Sequence, residues 1–168
     1  MLLKCVHSWG KCVHSWGKCP LKKTPLKRTP FTSKGKSDMS KLISKLDSIF
    51  SMYIRLRDSN DNCFVKCCTC GDWVTMSLAD CGHYHDRQHM GTRWDELNCH
   101  SQCHDCNRYH DGKIKRYDKF MLKTYGQEQL DLLVERKKSN RKWHRFEMHA
   151  MIKLYRDEVS KLKKEKGL

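Results

Sequence analysis

Apolar residues recur at three- and four-residue spacing along one central stretch: Leu42, Leu46, Ile49, Tyr53 and Leu56, with Ile43, Phe50 and Ile54 widening the stripe. Positions so spaced share one face of an α-helix. The pattern predicts an amphipathic helix ending near Arg57, with Ser37 or Asp38 placed to cap its start. A polar run at 58–62 stops it. Short strand-like pieces surround Phe64 and Val65, and again 73–76. Further helices are predicted to begin near Cys103–Cys106 and to cover 114–124, 127–136 and about 145–164. The last places Ile152, Tyr155, Val159 and Leu162 on one face and Lys and Arg on the other. Brief strands among longer helices make an α+β chain, and 168 residues hold one domain with extensions.

Before Ser37 the periodicity disappears. Residues 4–10 and 11–17 repeat KCVHSWG identically, followed by Lys18 and Cys19. This reads as a tandem duplication in a leader, where insertions cost little. The other reading is a metal-binding segment through Cys5, His7, Cys12, His14 and Cys19. LKKTP and LKRTP follow, and Pro among Lys and Arg makes an extended basic arm. The organisation expected is therefore a disordered basic arm over 1–37, a core over 38–136 and a basic C-terminal helix over 137–168.

Charge sharpens that division. The chain holds 34 Lys and Arg against 19 Asp and Glu, a net of +15. Residues 1–45 carry eleven basic side chains and one acid, and residues 136–168 carry twelve against four, whereas 46–135 carry eleven against fourteen. Basic ends that flank a mildly acidic centre suit a protein that grips phosphate through its arms and holds a cation between them. Lys22, Lys23, Lys27, Arg28, Arg93, Arg141 and Lys142 are the candidate DNA contacts. No run of eighteen apolar residues exists, so no transmembrane helix is expected. The N-terminus lacks the apolar core of a secretory signal. Eleven cysteines without an export signal point to metal in a reducing compartment and not to disulfides.

Cys67-x-x-Cys70-Gly71 and Cys103-x-x-Cys106-Asn107 form two knuckles separated by 32 residues. Each knuckle offers two thiolates at the bite that tetrahedral zinc requires, and together they predict a structural Zn²⁺ on Cys67, Cys70, Cys103 and Cys106. Cys63, Cys68, Cys81 and Cys99 lack such pairing and read as ordinary thiols. The insertion between the knuckles holds Asp80-Cys81-Gly82-His83-Tyr84 and, fifteen positions beyond His83, Asn98. This arrangement resembles the HNH nuclease pattern. An imidazole titrates nearest working pH, which suits His83 to the general base, with Asn98 holding its ring. A catalytic Mg²⁺ or Mn²⁺ would then rest on Asp80 and Asn107. Many HNH sites place the metal-binding acid immediately before the base, a position occupied here by Gly82. Either a bulge brings Asp80 round, or His100, His110 and Asp111 supply ligands. His85, His89 and His104 have no matching partners and read as surface residues.

The blocks CxxCG at 67–71, DxGHY at 80–84, NxHxQCxxCN at 98–107 and YGQE at 125–128, with Arg93, Gly112 and Tyr117, resemble the phage NinG/Rap recombination-protein family. The resemblance implies a small zinc-stapled ββα-metal (HNH-like) core flanked by helices. It also implies an endodeoxyribonuclease that nicks branched intermediates such as Holliday junctions and displacement loops, in the cytoplasm of a bacterial host. Symmetric resolution of a junction needs two active sites, which favours a homodimer. Two other readings stand beside this one: a non-catalytic zinc-dependent DNA-binding module, and a nuclease directed at RNA.

Overall fold

In the computed structural model, residues 37–109 and 114–168 are described. The basic arm, with the KCVHSWG repeat, Lys22, Lys23, Lys27 and Arg28, lies outside the described residues, as do His110 and Asp111. Helix α1 spans Asp38–Asp58, and Ser37 caps it by accepting the Ser40 amide on its side-chain oxygen. Strands β1 (Phe64–Lys66) and β2 (Trp73–Thr75) form one antiparallel pair. After a single 3₁₀ turn, β3 (Ala79–His83) pairs antiparallel with β4 (Cys99–Cys103). Helix α2 (His104–Arg108) leaves β4 directly. Helix α3 occupies Ile114–Lys138 and α4 occupies Arg145–Glu165. The architecture is α+β, with two small sheets among helices.

Within α3 the two predicted helices over 114–124 and 127–136 meet at a kink at Gly126, whose φ of 76° and ψ of 168° are not helical. Positive φ costs glycine little, so the chain turns there between the two helical runs. The buried line of α1 runs through Leu42, Leu46, Phe50 and Ile54, while Ile49 and Tyr53 are only partly covered. Those four pack with Met148, Ile152 and Tyr155 of α4, and with Cys81, Trp94 and Cys99 from the β3–β4 region. The described residues from 37 onward belong to one compact unit, in which the C-terminal helix packs along α1 and contributes to the main core. None of the described helices is long and apolar enough to cross a membrane.

Two polar clamps fix the β3–β4 hairpin against α1. Arg57 donates to the Cys99 carbonyl at 2.9 Å, and Asp58 accepts the Ser101 amide at 2.7 Å. Asp47 takes a two-pronged bond from Arg93 (2.9 and 2.6 Å) and a third from the Trp94 indole at 2.8 Å. Burial alone would raise the Asp47 carboxyl, but the bonds from Arg93 and Trp94 outweigh it and hold the group below its usual range. A depressed carboxylate contributes stability above its unfolded-state pKa, near 4, and loses it as pH falls through the lower folded value. Asp47→Asn is therefore expected to cost about 2 kcal/mol at neutral pH, less than a fully buried pair because the side chains keep some solvent. The difference between parent and variant should shrink below about pH 4. Urea melts at pH 7 and pH 3 measure both.

Candidate active site

Two thiolate knuckles meet at the base of the β3–β4 hairpin. The amide of Cys67 donates to the Asp72 carbonyl and Gly71 donates back to Cys67, closing the first turn. Gly71 takes a φ of +85°, a region that admits glycine freely. Cys103 ends β4 and caps α2, its sulfur accepting the Cys106 amide at 3.4 Å. All four sulfurs lie within 4.8 Å of one another, and Cys70 Sγ stands 3.8 Å from Cys103 Sγ. A tetrahedron with Zn–S bonds of about 2.3 Å has an edge near 3.8 Å. Cys67, Cys70, Cys103 and Cys106 can hold a metal ion such as zinc.

The strand pair and α2 then build an open cleft of about 790 Å³ lined by Asp80, His83, Asp86, Arg87, Asn107 and Arg108, among others. Asp80 faces α2, where residues three and four apart share a side. Its Oδ2 accepts from Asn107 Nδ2 at 3.1 Å and Arg108 Nε at 3.3 Å, and lies 3.1 Å from His104 Nδ1. β3 pairs with β4 residue for residue, so no bulge carries Asp80 round. The spacing of Cys103, Cys106 and Asn107 on the second knuckle brings Asn107 to the carboxylate instead. His104, read above as a surface residue, belongs to this group, and Arg87 and Arg108 join the cleft unforeseen. The three-residue helical step from His104 to Asn107 was the available signal.

His83 sits deeper. Its Nε2 lies 3.1 Å from the Arg93 carbonyl, and its Nδ1 lies 3.3 Å from the Cys81 carbonyl and 3.5 Å from Arg87 Nε. A neutral imidazole has one donor. The shorter contact assigns the proton to Nε2 and leaves the Nδ1 lone pair beside Arg87, an assignment made from the bonding network. Burial, reinforced by the Arg87 charge, lowers His83 to about 4, so the ring is neutral at neutral pH.

Three expectations change. Asn98 does not touch the His83 ring: fully buried, it accepts the His85 amide at 2.7 Å and donates to the carbonyls of His85 and Thr92. It ties both ends of the loop between β3 and β4, and that loop carries Arg93, the partner of His83. His100 is no ligand in the cleft, because its ring nitrogens meet the Tyr117 and Tyr125 hydroxyls at 3.0 and 2.6 Å. Those tyrosines come from α3, and His100 lines a different hollow. Arg93 is held by Asp47 and is 17% exposed, which removes it as a DNA contact. Arg141 stacks over the Trp143 ring, 4.2 Å from its centroid, and lines a surface hollow with Lys137 and Lys142.

Comparison with known proteins bears on the whole arrangement. The family model described as the bacteriophage lambda NinG protein matches residues 26–165. The protein ninG of Escherichia phage 933W is 27% identical over 126 residues, covering 74% of this chain and 60% of that protein. The protein ninG of Escherichia phage lambda is 26% identical over 126 residues, covering 74% and 59%. The chain thus spans about three-fifths of the length of these curated relatives. No solved structure matches. With the family model covering both knuckles, the cleft and all four described helices in full, the chain belongs to the NinG family.

Proposed function

We propose that this protein is a metal-dependent DNA endonuclease of the ββα-metal (HNH-like) kind, acting on branched recombination intermediates. One observation carries the reading: His83, its Nδ1 lone pair facing Arg87, shares an open cleft with Asp80 and Asn107, on two strands and a helix tied by four cysteines. Cleaving a phosphodiester needs a base for the attacking water and positive charge around the phosphate. His83 Nδ1 takes the proton from water, and the Arg93 carbonyl keeps the other nitrogen protonated and the ring oriented. Asn98 holds the loop that supplies this carbonyl. Arg87 and Arg108, both lining the cleft, are placed for the phosphate oxygens.

Asp80, Asn107 and His104 would hold the Mg²⁺ or Mn²⁺, since polar atoms of Asn107 and His104 already converge on one Asp80 carboxylate oxygen. Turning the Asn107 amide over offers its oxygen in place of its nitrogen. The ion would supply charge relief on the phosphate and on the leaving 3′ oxygen. The zinc on the four cysteines has no part in the chemistry and fixes the geometry.

A substrate panel tests the reading: four-way junction, displacement loop, linear duplex and sequence-matched RNA. Mg²⁺-dependent nicks in the branched DNAs, with linear duplex and RNA spared, are expected. Binding to all four without strand breaks makes the protein a zinc-dependent binding module, and cleavage confined to RNA makes it a ribonuclease. The basic arm adds affinity alone. Deleting residues 1–36 removes nine Lys and Arg and no acid, so affinity should fall and log Kd should vary less steeply with log salt. Fluorescence anisotropy across a salt series measures the slope; an unchanged slope means the arm leaves phosphate untouched.

A further inference from the structure

Two cysteines outside the knuckles meet beside the candidate base. Cys81 lies two residues before His83 on β3, and Cys99 is the direct partner of His83 across the strand pair. Alternation along a strand places all three on one face. Their ligand atoms lie within 4.8 Å of one another, and both cysteines are buried, Cys99 completely. The Arg93 carbonyl oxygen lies 3.1 Å from His83 Nε2 and 3.8 Å from Cys99 Sγ. Around a tetrahedral zinc the N–O and S–O edges are about 3.4 and 3.6 Å. Two sulfurs and one imidazole nitrogen therefore converge, and the Arg93 carbonyl oxygen stands beside His83 and Cys99 as the candidate fourth donor. Two thiolates would neutralise a divalent cation there, which removes most of the cost of burying it.

We propose that Cys81, His83, Cys99 and the Arg93 carbonyl form a second site for a thiophilic divalent cation such as Zn²⁺, and that filling it switches off His83 as a base. The site itself is independent of the nuclease reading; the switch rests on it. A cation on Nε2 takes the place of the proton now shared with Arg93. The imidazole then carries its proton on Nδ1 and donates it to the Cys81 carbonyl, already 3.3 Å away. Metal-bound histidines commonly anchor their second nitrogen in this way. The lone pair that would accept a proton from water is gone. Binding releases the two thiol protons, while the imidazole keeps its one proton on Nδ1, so the site fills more readily as pH rises.

The full chain, purified under reducing conditions, is titrated with Cd²⁺ while thiolate-to-metal charge-transfer absorption is followed. Saturation at two equivalents is expected, the second adding about half the absorbance of the first because it recruits two thiolates where the first recruits four. Saturation at one equivalent overturns the proposal. The Cys81→Ala/Cys99→Ala variant should lose only the second equivalent and keep its helical circular dichroism. His83→Gln, which leaves every sulfur in place, should weaken the second equivalent, a result that does not depend on the double variant folding. A second equivalent that His83→Gln leaves unchanged in affinity overturns the site as drawn. Zn²⁺ beyond the first equivalent should suppress junction cleavage by the parent and spare the double variant. A filled second site in a protein that never cleaves DNA refutes the nuclease reading and leaves the site standing.

Discussion

Replacing His83 with alanine is expected to lower junction cleavage by about 10²–10⁴-fold, the range associated with losing a general base. DNA affinity should stay near that of the parent, because it comes from the basic arm and the Lys and Arg around the cleft. Zinc on the four knuckle cysteines should also persist, since His83 lies outside both knuckles. The loss should appear in the single-turnover rate and not in Kd, which separates a missing base from a missing contact. Glutamine is the stricter replacement. Its amide can still reach the Arg93 carbonyl and preserve packing in the half-buried pocket, yet it cannot accept a proton from water. If His83→Gln cleaves at the parent rate, His83 has no part in the chemistry and the cleft must be re-read.

The second large effect is on folding. Cys70→Ser or Cys103→Ser removes one corner of the four-sulfur cluster. A structural zinc site contributes on the order of 10–16 kcal/mol in isolated small domains, against a total stability of about 5–15 kcal/mol for a typical domain. Losing half of that, about 5–8 kcal/mol, is comparable to the whole stability of such a domain. The loss falls where β1–β2, the end of β4 and the start of α2 meet, because the knuckles are their junction. Helices α1 and α4 pack on each other through their own apolar faces, so part of the helical signal should survive in an aggregation-prone protein. Metal analysis with circular dichroism measures both; full zinc and unchanged melting in either variant would remove the four-cysteine assignment.

Local features were legible from the chain, and long-range pairings were not. Ser37 capping α1, the strands around Val65 and Val74 and the long C-terminal helix follow from periodicity and capping chemistry, which act over a few residues. The two knuckles were legible because zinc imposes a spacing on each. Arg93 was misjudged because its partner, Asp47, lies 46 residues upstream on another element, and no spacing rule joins them. His100 was misjudged for the same reason, since its tyrosine partners belong to α3. Asn98 was expected to hold the His83 ring, yet its amide binds backbone around the base and not the base itself. Cys81 and Cys99 looked unremarkable as isolated thiols. Only the register of β3 against β4 sets them beside His83.

On the proposed function, the cleft between β3, β4 and α2 breaks phosphodiester bonds with the help of a hard divalent cation. The most direct measurement is strand scission of an end-labelled four-way junction by the zinc-loaded protein, with Mg²⁺ titrated into the parent and into Asp80→Asn. The parent should nick the junction only when Mg²⁺ is present and stop when EDTA is added, and Asp80→Asn should need substantially more Mg²⁺ for a lower maximal rate. A folded, zinc-loaded, junction-binding parent that leaves every strand intact across the Mg²⁺ and Mn²⁺ range contradicts the account.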